Sequence, residues 1–422
     1  MQGPYADITV VEFGQFVVAP FCAQMLADAG ARVIKVEPPT GDSYRSWADQ
    51  LAPGETRPFL IKNRGKESIA INLGHPEAAP VVRALIEIAD VVLVNLSPAA
   101  IKRRGLDYDA VAAINPKVIY GAVTAYGQVG PEAPLPGMDV VVQARSGLMS
   151  SLAAEQEGLA FHSEVQVADY TAAMLLFGGI GAALYARERS GVGQCVQTSL
   201  LGGALAIQNN ALAHVYGHDE WRHEFVDAQL PALRKQRATH DEVEQVRRDL
   251  RPDPPTHTAH YGVFATADGS IALGAGSAPA RRRLAAATGI AAAIADADPM
   301  EFGAQLKTLL VERSSADWVA LMRENEVPVA EVRHVDELFF DPHVEAEGIL
   351  TDYEHETAGR YRALATPIRM SATPFNLARA ASPCFAAHTR PILSELGFDA
   401  AALEQLCEAG AVVAADRPKP EG

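Results

Sequence analysis

Over the first 130 residues, short β-branched apolar runs alternate with longer stretches of helical patterning. Ile8–Phe13 (ITVVEF) predicts a strand, about Ala19–Ala29 a helix, and Arg32–Val36 (RVIKV) the next strand. Ser68–Leu73 (SIAINL), Val91–Leu96 (VVLVNL) and Val118–Val123 (VIYGAV) continue the series, with a helix predicted over about Pro76–Ala89 and a short one between the last two strands. Such alternation predicts an α/β fold: a mostly parallel sheet, covered on both faces and joined by right-handed crossovers.

From Val140 to about Gly217 the pattern turns helical, with one strand at Gln194–Leu200 (QCVQTSL). The helix after Asp169 carries Gly178, Gly179, Gly181, Ala182 and Ala183. Small residues of this kind let another helix or a ligand come close. Asp219–Thr258 is strongly charged. Thr239 and Glu242 there have capping-box spacing and open a predicted solvated helix over about Thr239–Leu250. Tyr261–Phe264 and Ser270–Leu273, joined across Ala267-Asp268-Gly269, predict a β-hairpin. Val327–Val332 (VPVAEV) is followed by the acidic stretch Asp336–Asp341, and Ala363–Met370 predicts a late strand that Pro367 confines to a sheet edge. The tail Asp416–Gly422 is expected to be disordered.

Composition narrows the function classes. The chain has 422 residues, 48% hydrophobic and 21% charged, an ordinary globular balance. Its formal charge, 36 − 52 = −16, argues against nucleic acid as the main partner but leaves room for a local basic pocket. Cys22, Cys195, Cys384 and Cys407 form no CxxC pair, which argues against a disulfide scaffold or a cysteine-built zinc site. The start lacks a basic n-region and reads as no signal peptide, and Met174–Tyr185 reads as too short and Gly-rich to span a bilayer. The expectation is a cytoplasmic protein with no membrane partner.

Glu37 closes a strand–turn–helix–strand unit, where a ribose-binding acid would fall. The turn, Gly14-Gln15-Phe16-Val17-Val18-Ala19, has one glycine and bulky neighbours, which argues against a redox dinucleotide site. Lys62-Asn63-Arg64-Gly65-Lys66 lacks the upstream glycine and the Ser/Thr of a P-loop. It remains a basic loop beside the sheet, and Lys102, Arg103 and Arg104 form a second; together they suggest an anion pocket. His214/His218 and His257/His260 form no HExxH pattern, and no serine sits in a GxSxG elbow. Asp169, at the start of the Gly-rich helix, reads two ways. It is a plain N-cap, or a carboxylate placed for nucleophilic chemistry.

Several segments in order resemble the class III CoA-transferases, the CaiB/BaiF family. These are ITVVEFGQFVVAP, VIKVEPPTGD, NRGK with SIAINL, VNLSPAAIKRRGLDY, PGMDVVVQARSGLM, Val167–Tyr185, GVGQCVQTSLL, NEVPVAEV, DPHVEAEG and HTRPILSELGF. The resemblance implies CoA transfer from an acyl-CoA to a free carboxylic acid through covalent aspartyl intermediates on Asp169. CoA and acyl-CoA enter as substrates, with no tightly bound cofactor and no metal. It implies CoA contacts at Phe16, Val17, Asn63, Lys66, Asn95, Leu96, Arg103 and Arg104, the basic residues pairing with the phosphates. Trp47, Asp139 and Gln143 are implied for the acyl pocket or its surroundings. It further implies a Rossmann-like large domain with a smaller α+β domain, in an interlocked homodimer. The expected division is 1–215, 216–335 and a C-terminal return over 336–422. Val17 stands where oxalate-utilising members have glutamine, Pro38 replaces a basic residue, and Gly274-Ala275-Gly276-Ser277 is the nearest stretch to their four-glycine run. The α-methylacyl-CoA racemases, a sister branch, are the alternative, but Met138-Asp139 stands where they have His-Asp. A non-catalytic CoA-binding protein is the third reading, against which the presence of Asp169 argues.

Overall fold

Six apolar runs form one parallel sheet in the computed structural model, which describes residues 2–152, 154–252, 259–375 and 380–415. They are β1 (Thr9–Phe13), β2 (Arg32–Glu37), β3 (Lys66–Ile71), β4 (Val91–Val94), β5 (Ile119–Thr124) and β6 (Gln194–Ser199). Their order is β6-β5-β4-β1-β2-β3, and Val412–Val413 adds an antiparallel strand outside β3. This is the doubly wound order, whose direction of winding reverses between β1 and β4. Side chains alternate between two cores, as the pleat requires. Val10, Val91 and Leu93 pack with helices α1 (Val18–Asp28) and α6 (Val167–Ser190). Val11, Phe13, Val92 and Val94 face the layer that includes Val81 and Leu85.

Between α1 and α6 in sequence lie α2 (Arg57–Asn63), α3 (Ala79–Ile88), α4 (Pro98–Arg103) and α5 (Asp139–Arg145), among others. Contacts divide the chain into Met1–His214 with Glu347–Gly422, and Val215–Ala346. The return to the large unit begins at Glu347 rather than at residue 336, because Val335–Phe340 and Pro342–Ala346 fold with the smaller unit. That unit holds a three-stranded antiparallel sheet of Tyr261–Ala265, Ser270–Gly274 and Val329–Glu331. Its core gathers Phe264, Ile271, Leu284, Phe302 and Trp318. The charged segment carries a helix over His240–Asp249, opened by the Thr239–Glu242 capping box. Asp253–Thr258 and the tail from Asp416 lie outside the described residues.

Two expectations are corrected. The late strand is Gly359–Leu364, paired antiparallel with Leu350–His355, and it ends before Pro367 instead of running to Met370. The apolar stretch Met174–Tyr185 belongs to α6, whose 24 residues are long and apolar enough to cross a membrane by length and composition. Its inner side chains, Ala172, Ala173, Leu176, Ile180 and Ala183, lie in the core against the sheet. Two of its glycines serve packing. A Cβ at Gly179 would stand 2.7 Å from Val196 Cγ1, and one at Gly181 2.8 Å from the Tyr5 hydroxyl.

Candidate active site

The turn after β1 crosses the mouth of the β1/β4 crevice, where open α/β sheets bind ligands. Gly14 is needed there, since a Cβ would lie 2.6 Å from Ala19 Cβ. Phe16 follows in the left-handed region (φ 66°), which a bulky residue adopts only when its surroundings impose it. Asn95, just beyond β4, supplies that constraint. Its Oδ1 accepts from Gln15 N–H at 3.0 Å and its Nδ2 donates to Gln15 O at 2.7 Å. Lys35 donates to Gly14 O at 2.9 Å from below. The Phe16 ring meets Tyr44 and Trp47 edge-on, at 5.3 and 6.3 Å between centroids.

Asp169 is the third residue of α6 and 8% exposed. It does not cap the helix. Asp139 does part of that work, accepting from Ala168 N–H at 3.3 Å, and Gln143 holds Asp139 with contacts of 3.2 Å to each oxygen. Gln143 is itself fixed by Ser163, whose N–H it accepts at 2.9 Å. Among the described residues the Asp169 carboxylate accepts no hydrogen bond, so its oxygens are left for the adjoining cleft. Burial, reinforced by the charge of Asp139 and opposed by that of Lys62, pushes its pKa up to about 7. Burial lowers Lys62 to about 8, against the pull of Asp169 and Asp42. At neutral pH Asp169 is thus a weakly solvated and comparatively basic carboxylate.

Two openings flank Leu96 at the carboxyl ends of the strands. The larger, counted with the solvent space at its mouth at about 800 Å³ and enclosing a cavity of about 210 Å³, is mainly apolar and brings Phe16, Val17, Asn95, Leu96, Met138 and Leu200 to Asp169. The smaller, about 400 Å³, is lined by Gly14, Gln15, Pro38, Asn72, Leu73, Leu96 and Arg104. The expected residues Phe16, Val17, Asn95, Leu96, Arg104 and Asp169 therefore gather along one crevice. Trp47 is 53% exposed at its aromatic edge. Asp139 and Gln143 are buried beneath the start of α6. Arg103 is exposed in the last turn of α4 and lines neither opening.

Asn63 and Lys66 are turned to the interior. Lys66 is buried, and its ammonium donates to Glu12 (2.7 Å), Pro20 O (2.8 Å) and Asn63 Oδ1 (2.8 Å). An ammonium has three donors, and all three are engaged. Asn63, fully buried, gives its Nδ2 to Phe59 O. In this structure both side chains brace the sheet and line neither opening. Glu37 is likewise structural, accepting from Arg45, Ser68 and Asp42 N–H instead of a ribose. Sequence reasoning missed Asn72 and Leu73, just past β3, and the pair Tyr44 and Tyr170 around Lys62. The signal available was a lysine directly following the apolar Phe59-Leu60-Ile61, a phase that points inward.

Glu55, His355 and Cys384 place three potential metal ligands within 4.8 Å of one another. They do not suit a cation. His355 Nδ1 accepts from the N–H groups of Thr357 (3.2 Å) and Ala358 (3.1 Å), so its proton sits on Nε2, which faces Glu55 Oε2 at 3.9 Å. A protonated nitrogen offers no lone pair, and Arg45 already neutralises Glu55 at 2.8 Å.

A doubly wound sheet with a buried, basic carboxylate and an arginine-edged opening at its switch point has the layout of an α/β protein that binds its ligand at the strand ends. The chain belongs to CoA-transferase family III, whose model matches residues 5–389. It is 33% identical over 410 residues to the succinate–glutarate CoA-transferase of Agrobacterium fabrum, covering 93% of this chain and 96% of that one. The succinyl-CoA:glutarate CoA-transferase of Mus musculus is 27% identical over 426 residues, covering 97% and 90%. The crystal structure of a CaiB/BaiF family protein from Brucella suis superposes with a TM-score of 0.73 at 27% identity, covering 94% of this chain and all of that one. The protein is a transferase whose family uses CoA thioesters as substrates.

Proposed function

We propose that this enzyme moves CoA from an acyl-CoA to a free carboxylic acid through covalent intermediates on Asp169. A carboxylate oxygen of Asp169 attacks the thioester carbonyl, the C–S bond breaks, and CoA leaves as thiolate. The thiolate then attacks the aspartyl carbonyl of the mixed anhydride, releasing the donor acid and leaving an aspartyl-CoA thioester. The acceptor carboxylate attacks that thioester, again expelling thiolate, which finally attacks the acceptor's acyl carbon and frees Asp169. Each step exchanges one activated acyl group for another, so neither ATP nor a redox partner enters.

The observation that carries this reading is a buried carboxylate with a raised pKa and no hydrogen bond of its own, at the wall of an apolar cleft. The thioester would lie there, with the charged end of CoA toward Arg104 in the adjoining opening. Relatives named for succinate and glutarate support short dicarboxylic acids as substrates. We further infer a cytoplasmic homodimer, for which exposed Met174 and Leu175 on α6 offer apolar surface.

Wild type and Asp169→Ala, incubated in deuterated water with an acyl-CoA and a panel of free acids, test the reading by mass spectrometry. The expected result is a new acyl-CoA that depends on Asp169 and carries no enzyme-introduced α-deuterium. Deuterium at the α-carbon without CoA exchange would overturn it in favour of a racemase. Met138 cannot serve as that reaction's second base, since a thioether takes up no proton at neutral pH.

A further inference from the structure

The large unit buries several cations, and most carry a carboxylate of their own. Lys35 pairs with Glu12 (3.0 Å) and Asp42 (2.8 Å), Lys66 with Glu12 (2.7 Å), Arg45 with Glu37 (2.7 Å), and Arg64 with Asp28. Lys62 differs. It lies in the last turn of α2, is 3% exposed, and makes no hydrogen bond or ion pair among the described residues. Its ammonium stands over two aromatic faces, 5.1 Å from the Tyr44 centroid and 5.9 Å from that of Tyr170. Cation–π attraction of this kind offsets part of the desolvation of a buried ammonium but does not neutralise its charge.

We propose that Lys62 binds the second carboxylate of a dicarboxylic substrate while the reacting end is engaged at Asp169. The proposal rests on the CoA-transfer reading above. Three observations converge on it. The Lys62 ammonium stands over the ring of Tyr170, the residue next to Asp169, and Lys62 and Asp169 influence one another's charge without forming an ion pair. An acyl chain attached at Asp169 with two or three methylenes carries its far carboxylate about 4–5 Å along, a reach that suits a cation standing beyond ion-pair distance of Asp169. The surroundings are apolar and aromatic: Val17, Tyr44 and Phe59 form one cluster with Phe16 and Tyr170, and Phe16 and Val17 also form the walls of the cleft at Asp169. Methylenes match those walls, and the one cation supplies what a terminal carboxylate requires. A monocarboxylic acid of equal length would leave the ammonium without an anion, which is how a buried polar group discriminates between substrates.

The test compares glutarate with pentanoate, acids of equal length that differ in the second carboxylate. With whichever of acetyl-CoA and succinyl-CoA the wild type accepts as donor, kcat/KM is measured for each acceptor in wild type, Lys62→Met and Lys62→Arg. In a double-displacement reaction the acceptor's kcat/KM reports only its own half-reaction. Wild type should favour glutarate. Lys62→Met should lower kcat/KM for glutarate about 10- to 100-fold more than for pentanoate, chiefly through KM, as loss of a charge-assisted hydrogen bond predicts. Lys62→Arg, with its longer reach, should shift preference from glutarate toward succinate, a change that misfolding cannot imitate. An equal fall for both acids in Lys62→Met, or a wild type that prefers pentanoate, would overturn the assignment while leaving CoA transfer standing. A wild type that transfers CoA to no acid would overturn both readings together.

Discussion

Asp169→Asn should abolish CoA transfer and make the protein more stable, by an amount that grows with pH. The carboxyl is 8% exposed and its pKa is raised from 3.8 to about 7, chiefly by burial and next by Asp139. As pH rises above 3.8 the unfolded chain releases this proton while the folded chain still holds it, so folding is penalised progressively until the folded group also ionises near 7. Linkage makes the penalty about 2 kcal/mol at pH 5 and about 4 kcal/mol at pH 8. These are upper bounds, because local water entry relaxes a buried charge. Asparagine is nearly isosteric and never ionises, so the variant escapes the penalty. Urea unfolding of both proteins at pH 5, 6.5 and 8 reads the difference, and titrating groups not coupled to Asp169 cancel in the comparison; Lys62, which is coupled to it, stays protonated at pH 5 and 6.5. Wild type should fall behind the variant by ~2 kcal/mol or more between pH 5 and 8. A pH-independent difference, or a variant less stable than wild type at pH 8, would refute the claim that the Asp169 carboxylate is held in a strained electrostatic state.

The same ionisation should govern rate: kcat/KM rises with pH through an apparent pKa near 7, and for a dicarboxylic acid it falls again as Lys62 loses its proton above about 8, whereas a profile flat from pH 5 to 9 would exclude Asp169 as a titrating nucleophile. Arg104→Ala should raise KM for acyl-CoA about tenfold at low salt and flatten its salt dependence, with unfolding unchanged. Lys66→Met should lower stability by about 3 kcal/mol in urea unfolding, because it leaves Glu12 buried with one cation fewer. A stable Lys66→Met protein with weakened CoA affinity would instead restore Lys66 as a phosphate ligand.

The strands were legible because parallel strands buried on both faces are apolar at almost every position, and Val91–Val94 or Ile119–Thr124 announce themselves. Asp169 was legible through the family resemblance, while its physics was ambiguous. An aspartate at a helix start looks like a cap until Asp139, 30 residues upstream, is seen accepting the Ala168 N–H. Lys66 misled for the same reason. Its partner Glu12 is 54 residues away, and nothing nearby distinguishes a buried strut from a solvent-facing base. Asn95 lines the cleft as expected, yet its amide grips Gln15 across 80 residues, so its role is to shape the turn. Local pattern fixes which element a residue joins; the partner that satisfies its charge is set by the winding of the chain.

That winding also sets when the site can be finished. Every residue placed in the crevice precedes position 201, yet the β3 edge that supports it is closed by the far end of the chain. Thr389 Oγ1 accepts the Ala70 N–H, Ser68 bonds with His388, Arg32 pairs with Glu395, and Val412 and Val413 complete the sheet. A ribosome that has already delivered Asp169 must still translate the whole smaller unit before these contacts exist. The catalytic half therefore waits as an unfinished sheet with an open edge, and chaperone protection is needed most during that interval.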